Sequence, residues 1–452
     1  MTRRGPLPRA KIALGLALLL ALLIGGGTAK GLYTDFLIQI GLVLAAAVAF
    51  TAPNGARLPP VGVALFVMLV LAGLLQLAPL PSPLIDLARP DIVSDAGGWS
   101  ALRVVSLGVG RTVESLAFAA TAMLFALAVT RLKPDELRGL LPFFLVGLAC
   151  NMLAATLQFS LSSRAALDSF LPFQIQAGLF ANTNHFSTLL FVSIPLLIYV
   201  GIFMDRLLVC GLALAFTLLL LLAAGSRSGV LIGVAITVLS IAFLSWRSRV
   251  GGLAVATLFV LVGAFGFGAI SKIDLEKVDP AFGRLEFART TIEGIGENWL
   301  WGVGYGNFDK AYQMYESPEM IFRAYVNHAH NDYLEVIFEG GLAGVVLILF
   351  YLSAFLLRYR KAASEPLQRA AFLSILFVLL HSLVDYPLRT GALAVTFAFL
   401  NGIYFYQAPI ERRLRRSQAM VVEHNGKSPS CRSHCASLPS GGSPAAPFTL
   451  FH

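Results

Sequence analysis

The chain has 452 residues, 57% of them hydrophobic and only 13% charged, with a mean hydropathy of +0.76, whereas soluble domains carry roughly a quarter charged residues. This excludes an ordinary soluble domain and predicts an all-α integral membrane protein. The net charge of +9 is scattered over many short segments with no basic and aromatic stripe, so the expected partner is membrane lipid, not nucleic acid.

Apolar stretches long enough for a helix to cross the hydrocarbon, about 17 to 25 residues, can be placed twelve times. They lie near 11–27, 33–51, 61–80, 112–130, 139–160, 184–203, 207–224, 229–245, 251–270, 336–357, 370–388 and 391–407. The first has an Arg-rich start and ends in "GGGTA", as a signal peptide would, but the spans behind it favour an uncleaved anchor. With the N-terminus inside, the inner segments collect Arg3, Arg4, Arg9 and Lys11, then Arg57, Arg131, Lys133, Arg138, Arg206, Arg247 and Arg249. Arg358, Arg360, Lys361, Arg369 and six basic residues of the tail follow, which makes 21 of the 34 Lys and Arg. By the positive-inside rule both termini are cytoplasmic.

The expected organisation is a cytoplasmic N-terminus over 1–10, a polytopic membrane domain over 11–407 and a cytoplasmic tail over 408–452. The Ser, Pro and Gly content of 424–452 predicts disorder there. "CRSHC" at 431–435 is a weak zinc signal in that setting, and Cys150 and Cys210 fall inside spans, so no disulfide framework is implied. Two outer segments are long: 81–111, which opens "PLPSPL" and contains Trp99, and 271–335, between the ninth and tenth spans. No internal repeat is visible, which weighs against transporters built from matching halves.

The polar chemistry gathers at "NHAHNDYLEVIFEGG", 327–341, just before the tenth span. Read as helix, 328–339 places His328, Asp332, Glu335 and Glu339 on one face. His330 falls on the other, among Tyr333, Leu334, Ile337 and Phe338. A histidine in an apolar setting is held neutral by desolvation and can take a proton from a hydroxyl; the alternative is a core histidine satisfied by backbone. His328 with the three acids suits a divalent ion by ligand type, but a solvated polar face explains it better, and no metal is expected. Asn331 is a candidate helix cap, and Gly340, Gly341 and Gly344 permit close helix packing.

Four arginines accompany these residues on the outer side: Arg227 in "GSRSG", Arg284 and Arg289 in "FGRLEFARTTIEGI", and Arg389 in "DYPLRTG". Guanidinium groups match phosphate oxygens in geometry, so together they could surround a diphosphate. Simpler readings exist: Arg389 pairs with Asp385, Arg289 with Glu293, and Arg284 is solvated. Arg227 has no acid near it in sequence. A base and an anion clamp on one side of a many-span protein suggest a reaction on a phosphorylated lipid, with fixed guanidinium groups stabilising the departing diphosphate. A lipid carrier or transporter that binds the same lipid and flips it is the reading from a different class.

"HAHNDYLEVIFEGGLAG", with "SRSG", "FGRLEFARTTIEGIGENWLWGVGYGNF" and "GLFANTNHFSTLL", resembles the O-antigen ligase and polymerase superfamily of bacterial inner membranes, over roughly 175–405. The resemblance implies a GT-C-like, metal-independent, inverting membrane glycosyltransferase with no cofactor, using undecaprenyl diphosphate-linked glycan as donor at the periplasmic face. The ligase acceptor would be a sugar hydroxyl of lipid A core; an O-antigen or exopolysaccharide polymerase would use another lipid-linked glycan instead. The family's catalytic histidine falls on His330 and its diphosphate-binding arginines on Arg227 and Arg284. Arg289 and Arg389 are secondary candidates, with Asn331, His328 and Glu335 in support. The glycines at 302, 304 and 306 would allow the outer loop to hinge.

Overall fold

The computed structural model describes residues 9–52, 56–81, 83, 85, 102–161, 171–245, 279–316, 326–362 and 364–407. The expected ninth span at 251–270, Trp99 and the tail with "CRSHC" lie outside these. The described residues form helices α1 (Arg9–Ile24), α2 (Tyr33–Thr51), α3 (Pro60–Leu77), α4 (Val109–Val129), α5 (Pro134–Arg138), α6 (Leu141–Leu161) and α7 (Thr183–Phe203). After them come α8 (Leu207–Ala223), α9 (Arg227–Ser245), α10 (Asp279–Asn298), α11 (Phe308–Tyr312), α12 (Asp332–Ala362), α13 (Pro366–His381) and α14 (Gly391–Phe405). Two short strands, Leu80–Pro81 and Leu102–Arg103, pair antiparallel.

The protein is a multi-pass membrane protein. Among the described residues seven helical stretches are long and apolar enough to cross a bilayer: α2, α3, α4, Pro134–Ser160, α7, α9 and α12. Helices α8, α13 and α14 are apolar but shorter. The expected eleventh span shows why a hydropathy window runs long. The sequence predicts it over 370–388, but α13 stops at His381, and the chain continues through turns into a 3-10 helix at Pro387–Arg389. The apolar letters of "SLVDYPL" therefore do not extend the α-helix.

Helix α7 is the most enclosed, buried on all sides from His185 to Gly201, and packs against α8, α9 and α13. The run Gly25–Gly27 after α1 is buried. Gly26 O accepts from Ala181 N at 3.0 Å and Gly25 O from Ala392 N at 2.7 Å, so "GGGTA" is an internal packing joint.

The second joint sits in α12. Gly341 has φ +56 and ψ −140, which breaks the helix into an arm, 332–340, and a long rod, 342–362. A break releases carbonyls that must find other donors, and the glycine-rich loop supplies them. Val303 N donates to Phe338 O and Gly304 N to Glu339 O, both at 3.0 Å, while Glu339 Oε1 accepts from Gly306 N at 2.9 Å and Phe308 N at 3.2 Å. Gln76 of α3 completes the joint by donating to Glu339 O at 2.7 Å and accepting from Tyr305 N at 3.1 Å. The glycines at 302, 304 and 306 are buried and form part of this joint. Gly302 has φ +69, and a Cβ on it would strike the Glu339 carbonyl. Gly302→Ala is expected to cost about 1–3 kcal/mol of strain, read as a lower unfolding temperature of the purified protein.

Candidate active site

Residues 328–331 are not helical, contrary to the sequence expectation. The α12 arm begins at Asp332 because Asn331 Oδ1 accepts from Tyr333 N at 3.0 Å and Leu334 N at 3.1 Å, which is N-cap geometry. Just before it His330 takes φ +51, a left-handed conformation that costs a non-glycine residue about 1–3 kcal/mol. Glu335 holds the turn from below. Its carboxylate meets His328 Nδ1 at 2.8 Å and accepts from Ala329 N at 3.0 Å. Asn331 Nδ2 donates to Leu383 O at 2.9 Å, and Asp332 N to Ser382 O at 3.0 Å. The two histidines consequently diverge: His328 is buried, and His330 keeps 23% of its side chain exposed.

His330 sits in an aromatic slot, stacked on Phe287 of α10 with centroids 5.6 Å apart and edge-on to Tyr386 at 4.8 Å. Its Nδ1 makes no hydrogen bond and lies 3.9 Å from Oδ1 of Asp385. Burial pushes the imidazole down to about 4; Arg284 reinforces this and Asp385 opposes it. Near pH 7 the ring is neutral and retains a lone pair.

Asp385 is the hub. Fully buried, it accepts from Asn184 Nδ2 at 2.6 Å and from Tyr386 N at 2.9 Å. Three histidines face it: His185 at 3.7 Å, His330 at 3.9 Å and His381 at 3.9 Å. The Arg284 guanidinium reaches it at 3.5 Å. Helix ends explain the convergence. Asn184 and His185 open α7, His381 closes α13, and Ser228, next to Arg227 at the start of α9, meets His381 Nε2 at 3.3 Å. The N-termini of α7 and α9 thus point toward one end of the bundle, where helix dipoles favour negative charge.

The four arginines separate into different environments. Arg284 lies in the His330 slot and is 36% exposed. Arg227 is the exposed first residue of α9. Arg289 is 73% exposed and pairs with Glu286 at 3.5 Å, not with Glu293. Arg389 does not pair with Asp385. It is held by Glu339 at 2.9 Å, Glu335 at 3.5 Å and Asp332 at 3.8 Å. That corrects two expectations together, because the acidic face of α12 is buried, not solvated, and Arg389 is the counter-charge that makes its burial tolerable.

The arrangement can hold an anion at Arg284 and take a proton at His330. Asp385, Asn184, His185 and Tyr386 were missed as site residues. Their sequence signals were present but weak: Asp385 follows His381 at i, i+4, and Asn184 and His185 stand at the head of an apolar run. Nothing local in "TNH" or "VDYP" indicates that the two segments meet.

Residues 212–349 match the family model described as O-antigen ligase. The matched segment includes Arg227, Arg284, Arg289, His330 and Glu335; Asn184, Asp385 and Arg389 lie beyond it. None of the curated proteins compared with the chain matches it.

Proposed function

We propose, for a chain whose residues 212–349 match the family model described as O-antigen ligase, that it transfers a glycan from undecaprenyl diphosphate to a sugar hydroxyl of lipid A core. The reaction occurs at the periplasmic face of the bacterial inner membrane, on a GT-C-like scaffold with both termini cytoplasmic. The observation that carries this reading is a neutral His330 facing Asp385 in the same slot as Arg284.

In this scheme Asp385 orients the Nδ1–H of His330, so the lone pair sits on Nε2. Nε2 takes the proton of the acceptor hydroxyl as its oxygen attacks the anomeric carbon. The bond from that carbon to the diphosphate oxygen breaks, and its electron pair leaves with the diphosphate, inverting the centre. Arg284 and Arg227 stabilise the departing charge, helped by the N-terminus of α9. Asp385 stabilises the imidazolium that forms, as a carboxylate does for a catalytic histidine elsewhere. The 3.9 Å separation is longer than a hydrogen bond, and such contacts tighten when substrate binds. Arg289 and Arg389 are left out of this clamp, the first for its exposure and the second because three carboxylates occupy it.

The test is the lipopolysaccharide pattern of a host lacking the protein. Bare core with long glycan trapped on its lipid carrier supports the ligase; core bearing one repeat unit means a polymerase using the same donor. Purified protein should consume the lipid-linked donor, and one that only relocates it across vesicles is a carrier.

Two further outcomes follow. The base must be neutral to act, so kcat/KM is expected to be flat from about pH 5 to 7 and to fall about tenfold per unit below a midpoint near 4. A midpoint at about 6.5, the ordinary histidine value, would contradict a desolvated base. Asp385→Asn, similar in volume, is expected to lower kcat by up to about 10⁴-fold, as at other carboxylate–histidine pairs, and to shift the pH midpoint downward, because the carboxylate supports the charged ring. An unshifted midpoint would mean that Asp385 serves packing alone.

A further inference from the structure

Helix α10 runs beside the arm of α12 and in the same direction. Phe287 stacks on His330 at 5.6 Å, a Cβ on Gly294 would strike the Phe338 ring, and Leu300 O, two residues past the helix, accepts from Leu342 N at 3.1 Å. The arm itself lies across the ends of membrane helices. Asp332 N donates to Ser382 O just past α13, Gln76 in the last turn of α3 donates to Glu339 O at 2.7 Å, and Arg389, just before α14, meets Glu339 at 2.9 Å. Tied at both of its ends to the ends of bundle helices, the arm follows the bilayer surface, and α10 follows the arm.

The sequence of α10 gives it three faces. Thr290, Thr291, Gly294 and Asn298 are buried. Leu285, Ile292 and Trp299, the last just past the helix, are exposed among the described residues, and their seven-residue spacing sets them on one line about 21 Å long. Glu293 and Glu297, also exposed, fall on the flank of that line.

The apolar line is continuous with a lipid-facing surface. Leu342, Val346 and Leu349 are exposed on the α12 rod, part of a helix long and apolar enough to span the bilayer, and the bond between Leu300 and Leu342 joins the two surfaces. Trp299 stands at that junction, and tryptophan concentrates where a membrane meets water. A helix with apolar and charged faces side by side lies in the plane of that boundary. Its flank carries Glu286, Glu293 and Glu297 against Arg289, so the attraction is insertion of apolar side chains, not pairing with anionic headgroups.

We propose that α10 docks on the bilayer surface through Leu285, Ile292 and Trp299, and that the docked helix holds Arg284 and Phe287 over His330. The lipid contact stands apart from the transferase reading above; the holding role rests on it.

The test places a photoreactive benzophenone side chain at Leu285, Ile292 or Glu297 of the full-length protein in phosphatidylcholine nanodiscs and reads lipid adducts by mass. Adducts at Leu285 and Ile292 are expected to exceed those at Glu297 at least tenfold, with the ratio unchanged when phosphatidylglycerol is added. Equal adducts at the three positions, no adduct at Ile292, or an adduct that requires the anionic lipid would overturn the docking. For the holding role, Leu285→Asp and Ile292→Asp open no cavity, because both positions are exposed. Both variants are expected to melt as wild type in detergent and to raise donor KM at least tenfold in nanodiscs. A donor KM within threefold of wild type in the folded variants would remove the holding role. Crosslinking needs no turnover, which keeps the readings distinguishable. Adducts at Ile292 in a protein that consumes no donor support the docking and sink the transferase reading with the holding role; normal turnover without adducts sinks this proposal alone.

Discussion

His330→Asn is expected to lower glycan transfer by about 10²–10⁴-fold, the contribution typical of a positioned general base, while the protein stays folded. Asparagine is the informative replacement because His330 has φ +51, and asparagine tolerates the left-handed region better than most residues. The turn is held by neighbours: Glu335 bonds His328 and Ala329, and Asn331 caps the arm. The substitution therefore removes the imidazole and its contact with Phe287 without disturbing what sets the backbone. The measurement is kcat/KM for consumption of lipid-linked glycan, with thermal unfolding of the same preparation alongside. Activity within threefold of wild type in a folded variant would remove His330 from the chemistry.

Arg389→Leu is expected to act on stability, by about 3–5 kcal/mol, because it leaves Asp332, Glu335 and Glu339 buried without their counter-charge. Whole domains are stable by only about 5–15 kcal/mol, so the variant should be poorly recovered or melt far below wild type. The damage should spread: Glu339 also ties the glycine clasp through Gly306 and Phe308, and Glu335 ties the turn that carries His330. If Arg389 instead bound the donor diphosphate, Arg389→Leu would remain folded and show mainly a raised donor KM. That behaviour is expected of Arg284→Leu, whose guanidinium is 36% exposed and reaches Asp385 at 3.5 Å. Melting temperatures and donor KM for the pair separate the alternatives.

The sequence by itself determined the class. Apolar runs of membrane length, scarce charge and the Lys and Arg bias require helices in a bilayer, because helix length and dielectric are local constraints that any window of residues reveals. Composition also marked "NHAHNDYLEVIFEGG" as chemistry, and Asn331 was legible as a cap because its partners lie two and three residues away. Contacts of long range in sequence were not legible. Helical periodicity put His330 among Tyr333, Leu334 and Phe338, yet the chain leaves the helix at Asn331, since the carboxylate of Glu335 folds back on His328 and Ala329. Pairing by proximity gave Arg389 to Asp385, four residues away, but burial sends it to three acids about fifty residues earlier that would otherwise be stranded. Asp385 became the centre of the site only when the ends of α7, α9 and α13 met. Which charges neutralise one another in a low-dielectric interior depends on which helix ends converge, and only the tertiary structure decides that.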